Sequence, residues 1–223
     1  MRKIWTLVGI FALVALLAAP AAASMLTFNF NAPFPGSPAP TGDTPWLTAT
    51  FVDVDENVPG QVYLTLDANL QFSDGFISEV YFNLDPFDAG LTVTRLGTAS
   101  DGSTAPDLNY YEVGLDAYKA DGDGYFDLLL NYPPPGGDRF NGTETVTYLL
   151  EASGLTVASF NYTSSLEPGG GHSTWLAGAH IQSISDSEYS AWIGPGTEVP
   201  VPPAVWLLGS GLIGLIGLRR KFK

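Results

Sequence analysis

The stretch Trp46-Leu47-Thr48-Ala49-Thr50-Phe51-Val52-Asp53-Val54 decides the fold, because apolar and polar side chains alternate along most of its length. Successive side chains of a β-strand point to opposite faces, so this alternation indicates a half-buried strand. The pattern returns after the turn signal Pro59-Gly60, where Val62, Leu64 and Leu66 alternate with Tyr63 and Thr65. Two such runs separated by a turn are typical of an antiparallel sheet.

Short alternating runs of this kind recur along the whole middle of the chain. Turn signals such as Asp74-Gly75, Asp101-Gly102 and Asn141-Gly142 separate them, and no stretch has a convincing helical period. The further runs lie at 26–30, 76–84, 91–96, 125–130, 145–150, 156–162, 177–184 and 191–193. Roughly ten strands at this spacing predict an all-β fold, namely an antiparallel two-sheet β-sandwich, of which the jelly roll is one form.

The composition limits the classes of function. The 223 residues include no cysteine, which excludes disulfides, cysteine zinc sites, haem attachment and thiol catalysis. Residues 24–198 contain three basic and 23 acidic side chains, a formal charge of 3 minus 23, or −20. Such a surface repels nucleic acid, and the chain has no phosphate loop or dinucleotide fingerprint. It suits divalent cations, basic partners or simply solubility.

The N-terminus has the pattern of an export signal. Met1-Arg2-Lys3 precedes an apolar run from Ile4 to Leu17, and small residues around an Ala-x-Ala site follow up to Ser24. We predict a signal peptide over residues 1–23, cleaved after Ala23, and an acidic β-sandwich domain over residues 24–198. The alternative is an uncleaved membrane anchor, for which the apolar run is short.

The C-terminus, residues 199–223, contains a second apolar segment. Residues 204–218 lie between Val199-Pro200-Val201-Pro202-Pro203 and the basic cluster Arg219-Arg220-Lys221-Phe222-Lys223. A single helix over these 15 residues would be about 22 Å long, whereas a hydrocarbon core is about 30 Å thick. Basic residues after a span stay in the cytoplasm, so we expect the domain outside and the tail docked in the membrane at least transiently. A permanent single-span anchor is the alternative to a sorting signal that is removed.

This tail resembles the PEP-CTERM sorting signal. It is similar to the variant in which Val-Pro-Leu-Pro-Ala or Val-Pro-Leu-Pro-Pro precedes a Trp-Leu-Leu-Gly-Ser-Gly-Leu core, which residues 206–212 match. It departs from the name motif, Val-Pro-Glu-Pro, because Val201 replaces the glutamate. The resemblance implies processing by a membrane enzyme, exosortase, in a Gram-negative exopolysaccharide producer. The residues that would carry the signal are Val199, Pro200, Val201, Pro202, Arg219, Arg220 and Lys221.

The body of the chain is similar to a recurrent type of PEP-CTERM protein. The shared features are the segments 44–51, 81–86, 120–127 and 179–182, the last followed by Ala191-Trp192-Ile193-Gly194. This similarity implies a location outside the cytoplasm and a β fold, and it implies no particular activity.

The segment Asp121-Gly122-Asp123-Gly124-Tyr125-Phe126-Asp127 is the strongest candidate for chemistry. Its aspartates stand at offsets 1, 3 and 7, as in part of a calcium loop, and Ca²⁺ takes six to eight oxygen ligands. We therefore predict Asp121, Asp123 and Asp127 as Ca²⁺ ligands. The twelfth position is Tyr132 rather than a bidentate glutamate, so further ligands would have to come from Asp116, Asn131 or Asp138. The alternative is an Asp-Gly hairpin turn that leads into the next strand.

The sequence contains no catalytic constellation. The two histidines, His172 and His180, have no metal-ligand spacing, and the body has no Gly-x-Ser-x-Gly elbow. A close pair of carboxylates would be unspecific among 23 acidic residues. Trp46, Trp175 and Trp192 could form a sugar-stacking platform, although core packing explains each of them equally well.

We therefore expect an exported, exosortase-sorted, non-enzymatic protein of the cell surface or extracellular matrix. Its partners would be an exosortase-like membrane enzyme and exopolysaccharide, with Ca²⁺ as a candidate bridging ion and no nucleic acid. The alternatives are a calcium-dependent carbohydrate-binding module and a secreted hydrolase.

Overall fold

The computed structural model describes residues 24–55, 59–71, 74–97, 106–121, 123–133, 139–166, 173–184 and 189–196. The predicted signal peptide (1–23) and sorting tail (199–223) lie outside the described residues. Across the described ranges, no helix combines the length and the apolar content that a membrane span requires.

The described chain is built from strands. It contains one short 3₁₀ helix, Val157–Phe160, and otherwise strands joined by turns and loops. The strands are β1 (Met25–Pro33), β2 (Leu47–Asp53), β3 (Gln61–Ala68), β4 (Phe76–Phe82), β5 (Thr92–Leu96), β6 (Tyr110–Lys119), β7 (Tyr125–Asn131), β8 (Phe140–Asn141), β9 (Thr145–Glu151), β10 (Ala177–Gln182) and β11 (Ser190–Pro195). The prediction of an all-β fold is confirmed.

These strands form one antiparallel sheet in the order β5-β9-β3-β2-β1-β11-β10-β4-β7-β6, with β8 beside β4. The sheet curls until it is nearly closed. Phe51 in β2 and Phe82 in β4 show the curl, because their ring centroids are 5.1 Å apart although three strands separate β2 from β4 in the sheet. The predicted division into two sheets is not confirmed, since the strands hydrogen-bond in one continuous series.

Two contacts link the edge regions of the sheet. The hydroxyl groups of Tyr132, after β7, and Tyr148, in β9, are 3.1 Å apart in the interior. Arg95 in β5 donates a hydrogen bond of 2.6 Å to Asp107, which precedes β6. Both contacts join the β5–β9 side of the sheet to the β7–β6 side.

Alternate side chains of the strands fill the space that the sheet encloses. Buried and half-buried positions alternate in β2 and β9, and the inward residues belong to one apolar cluster. Phe51 lies at its centre, with its ring 4.3 Å from that of Phe160 in the 3₁₀ helix. Burial of one such side chain is worth about 1.5–3 kcal/mol, so this cluster is the main source of stability.

A second, smaller apolar cluster lies outside the main core. It consists of Phe34, Tyr81, Ala120, Phe126 and Leu129, with Tyr118, Trp175 and Trp192 packed against it. The segment after β1 and the segment before β10 contribute Phe34 and Trp175, whose rings stack at 4.4 Å. The wall formed by β11, β10, β4 and β7 is therefore packed on its outer face as well as its inner face.

Three details differ from the strand predictions. The run at 156–162 is not a strand, because the chain turns through the 3₁₀ helix and buries Val157 and Phe160. β6 has no counterpart among the predicted runs. In β4, the register against β10 shifts at Ser78, so Ile77 rather than Phe76 joins Val80 and Phe82 in the main core.

Candidate functional site

The predicted calcium loop connects β6 to β7. Asp121 is exposed and has a positive φ of 46°, whereas Asp123 is only 1% exposed. The Asp123 carboxylate accepts a hydrogen bond of 3.2 Å from Ser173 Oγ, and its backbone N–H donates to the carbonyl of Ala120. Gly124 has a φ of 121°, and a methyl group there would overlap the Ser164 hydroxyl. The segment is a tight, packed turn.

Asp127 lies in β7 with both carboxylate oxygens bonded to backbone. Oδ1 accepts a hydrogen bond of 2.7 Å from the N–H of Asp116, and Oδ2 accepts one of 2.9 Å from the N–H of Leu84. Asp116 has a positive φ of 48° and lies where β6 bulges between Val113 and Tyr118. Burial raises the pKa of Asp127, and its two backbone hydrogen bonds act in the opposite direction but less strongly. Asp127 thus holds the bulge of β6 against the end of β4.

The three predicted ligands do not form a metal cluster among the described residues. No three histidine, aspartate or glutamate side chains gather as a possible metal site there. Of the further candidates, Asp116 uses its backbone N–H on Asp127, Asn131 bonds to Glu79 on another part of the sheet, and Asp138 lies outside the described residues. Binding of Ca²⁺ by Asp121, Asp123 and Asp127 stays a prediction.

A line of polar and aromatic side chains crosses the outer face of the sheet. Register pairs Trp192 with His180, His180 with Glu79, Glu79 with Asn131, and Asn131 with Tyr110. Directly paired residues of antiparallel strands point to the same face, so these five side chains form one row, here called the outer row. Five strands about 4.8 Å apart give it a length of about 19 Å. The first four members are half-buried and Tyr110 is 45% exposed.

Hydrogen bonds fix the centre of the outer row. Glu79 Oε2 accepts a hydrogen bond of 2.8 Å from the hydroxyl of Tyr81, and Glu79 Oε1 accepts one of 3.4 Å from Asn131 Nδ2. Asn131 Oδ1 in turn accepts a hydrogen bond of 3.1 Å from Asn109 Nδ2. Burial and the neighbouring Glu79 raise the pKa of Tyr81, so its phenol remains a donor. The carboxylate and the amide are therefore held in defined orientations on a rigid sheet.

His180 is held between a serine and a tryptophan. Its Nδ1 is 3.1 Å from Ser78 Oγ, and its ring stacks on that of Trp192 at 4.5 Å and 9°. Burial lowers the pKa of His180, with the charges of Glu79 and Asp121 acting in the opposite direction. The imidazole is thus mainly neutral at neutral pH.

Ser78, His180 and Glu79 do not have the geometry of a hydrolase triad. A triad places the serine and the carboxylate on opposite ring nitrogens, whereas here Ser78 Oγ at 3.1 Å and Glu79 Oε2 at 3.9 Å both lie nearest to Nδ1. Ser78 is only 7% exposed, and its hydroxyl is also 3.2 Å from the carbonyl of His180. In this arrangement His180 packs between Ser78 and Trp192, which is a structural role. His172 lies outside the described residues.

The three tryptophans do not form a common platform. Trp46 is 4% exposed and belongs to the main core, so of the two alternatives core packing applies to it. Trp192 has near-parallel ring contacts to both His180 and Phe34, and Trp175 stacks on Phe34. The freely exposed ring of the outer row is that of Tyr110.

Glu79 and Tyr110 were not predicted as site residues, and Asn131 was considered only as a further Ca²⁺ ligand. Glu79 lies in β4, which is distant in the sequence from the consecutive strands β6 and β7 that carry Tyr110 and Asn131, and only the register of the sheet aligns the three. No local motif marks any of the three. No family model, curated protein or solved structure matches the chain, so its function is inferred from the outer row and from the sequences of its two ends.

Proposed function

We propose that this chain is an exported, exosortase-sorted, non-enzymatic protein of the cell surface or matrix, and that its outer row binds exopolysaccharide. The curled sheet would serve as a β-sandwich scaffold, with its two walls facing each other. The observation that carries the proposal is the alignment of half-buried Glu79 and Asn131 with the exposed Tyr110 on the outer face of the sheet.

The chemistry of these side chains suits a sugar chain. A carboxylate accepts hydrogen bonds from hydroxyl groups, and an amide both donates and accepts them. An aromatic ring such as Tyr110 packs against the apolar face of a hexose. The bonds from Tyr81 and Asn109 hold Glu79 and Asn131 in place before binding, so little side-chain entropy is lost on association.

The side chains of the outer row favour a binding role over hydrolysis. Glycoside hydrolysis uses two carboxyl groups that flank the bond to be cleaved, and the outer row contains one, that of Glu79. The Ser78–His180 contact lacks the access and the geometry that a nucleophile needs.

The position of the chain ends is compatible with membrane docking by the tail. β1 pairs with β11, with Pro33 beside Ile193 and Phe30 beside Pro195. Because the two strands are antiparallel, the chain enters β1 and leaves β11 at the same rim of the sheet. A leader cleaved after Ala23 and a tail over residues 199–223 would both reach the membrane from this rim.

The binding proposal is tested with exopolysaccharide purified from the host and the full chain in mild detergent. We expect Tyr110→Ala to weaken retention in affinity electrophoresis by about five-fold, since an aromatic stacking contact is worth about 1 kcal/mol beyond its area. Tyr63→Ala is the matched control, because Tyr63 is 37% exposed on β3, outside the outer row. Equal retention of the two variants would refute the outer row as the binding surface.

The sorting proposal is tested in the host by cell fractionation. Deletion of Val199–Lys223 should change release or surface retention of the protein. Replacement of Trp206–Leu212 by leucines keeps an apolar span while removing the core that resembles the sorting signal. Normal localisation of both variants would reject sorting, and a defect confined to the deletion would indicate a plain membrane anchor.

The calcium prediction is tested by thermal melting of the full chain in Ca²⁺ and in EDTA. A bound ion stabilises the folded state by mass action, so the prediction requires a higher Tm in Ca²⁺. The difference should disappear in Asp123→Ala and persist in Asp67→Ala, a matched aspartate of β3. Equal Tm values in Ca²⁺ and EDTA reject a role for the ion.

A further inference from the structure

We propose that the outer row takes a linear glycan without acid groups, laid across the strands with about one sugar unit per strand. This inference rests on the proposed function, because it specifies the class of polysaccharide and its direction on the same surface. Two observations support it: the spacing of the five side chains of the outer row and the charges near them.

The spacing of the row defines the direction of the ligand. Neighbouring strands are about 4.8 Å apart, and the five members of the row lie on five consecutive strands, from β11 to β6. A hexose in an extended chain advances by about the same distance. A linear glycan that crosses the strands at right angles would therefore place successive sugars over successive side chains, with one end at Trp192 and the other on the exposed ring of Tyr110.

The charges on the row define the class of ligand. Glu79 is the one acidic member, and its two oxygens already accept hydrogen bonds from Tyr81 and Asn131. His180 does not neutralise it at neutral pH, because burial lowers the pKa of the imidazole. Asp121 acts electrostatically on the same imidazole, which places a second negative charge near this end of the row.

A sugar hydroxyl can donate a hydrogen bond to the remaining lone pairs of Glu79, whereas a uronate, sulfate or phosphate group would meet a like charge. By Coulomb's law, the repulsion between unit charges about 4 Å apart disfavours the charged chain by about five-fold in water, and by more at the lower effective dielectric constant of a protein surface.

The experiment is calorimetric titration of the full chain in mild detergent with hexamers of defined charge. The uncharged probes are hexamers of β-1,4-glucan, β-1,3-glucan and N-acetylglucosamine, and the anionic probe is a hexamer of mannuronate. At low salt, we expect at least one uncharged hexamer to bind about ten-fold or more tightly than the mannuronate hexamer. At high salt this ratio should fall, because counterions screen the repulsion.

Glu79→Gln separates charge from shape. The variant keeps the size of the side chain but has no charge and one acceptor oxygen, so it should bind mannuronate several-fold more tightly and the uncharged hexamer more weakly than the wild type does. Glu151→Gln on β9 is the matched control, because Glu151 is a half-buried strand carboxylate outside the outer row. It should leave both affinities unchanged.

The outcomes distinguish this inference from the proposed function. Mannuronate binding that equals that of the uncharged hexamers, and that is weakened by Tyr110→Ala, would overturn the charge class but leave glycan binding by the row in place. An uncharged trimer that binds as tightly as its hexamer would overturn the placement across the strands. If none of the hexamers binds, both the inference and the proposed function fail.

Discussion

Replacement of Asp127 by alanine should lower the free energy of unfolding by about 3 kcal/mol. The carboxylate is 6% exposed and accepts backbone N–H bonds from Asp116 and Leu84. A buried donor that loses its partner costs about 1–3 kcal/mol, so two donors give roughly 2–6 kcal/mol. Removal of a carboxylate whose own burial is unfavourable offsets part of this loss, which brings the expected value to the lower half of the range.

Two further variants calibrate this value. Asp127→Asn keeps the volume and one acceptor oxygen, but its amide group meets the second N–H as a donor, so about half of the loss should remain. Asp67→Ala removes a carboxylate that accepts from the Thr145 hydroxyl at 2.6 Å and from no backbone group that we observe. Its cost should stay below about 1 kcal/mol, as for a typical half-buried side-chain hydrogen bond.

The assay is urea unfolding of the full chain followed by tryptophan fluorescence, with the slope m compared between variants to confirm that the same surface unfolds. The proposed role of the Asp127 carboxylate is wrong if the unfolding free energy of Asp127→Ala lies within about 1 kcal/mol of the wild-type value. It is also wrong if Asp127→Asn is as destabilised as Asp127→Ala. The two N–H groups would then have other acceptors, and the bulge in β6 would not depend on this carboxylate.

Burial raises the pKa of Asp127, so its protonation favours the folded state; this contribution is fully present below the unfolded-state pKa and is lost as the pH rises through the folded-state pKa. The gap in unfolding free energy between wild type and Asp127→Asn should therefore shift in favour of the wild type from about pH 7 to about pH 4, and the opposite trend would contradict the raised pKa. Tyr132→Phe and Tyr148→Phe should each cost about 1–2 kcal/mol, because each leaves one buried hydroxyl of the 3.1 Å pair unpaired, and the double variant should cost less than the sum in a double-mutant cycle. Gly124→Ala should reduce Tm and the yield of folded protein, because its φ of 121° is strained for alanine and the new methyl group overlaps Ser164; wild-type Tm would exclude this packing.

Much of the strand content could be predicted from side-chain alternation. In β2 and β3 the inward residues Leu47, Ala49 and Phe51 pair with Ala68, Leu66 and Leu64, which is the pattern that the sequence displays. There is a physical reason why β6 was not predicted. It is an edge strand whose residues are mostly exposed, and its bulge breaks the alternation, so burial leaves no periodic pattern in its sequence.

The candidate functional site was harder to predict from the sequence than the strands were. The spacing of Asp121, Asp123 and Asp127 predicts a calcium loop, which stays a prediction. The spacing gave no sign that Asp127 lies in a strand and accepts hydrogen bonds from two backbone N–H groups of neighbouring segments. The outer row depends on which strands are neighbours, and β4 pairs with β10 and β7 rather than with the strands next to it in the sequence. A shift of one residue at Ser78 decides that Glu79 faces outward.

The pairing of the first strand with the last has a consequence for how the chain folds. β1 lies between β2 and β11, and a hydrogen bond near this seam, from the N–H of Gly196 to the side chain of Asn31, joins residues 165 positions apart. The sheet cannot be completed until almost the entire domain has been synthesised, and such distant pairings make folding slow, on the order of milliseconds to seconds. A chain that is threaded from its N-terminus would thus remain unfolded and extended until its last strand arrives.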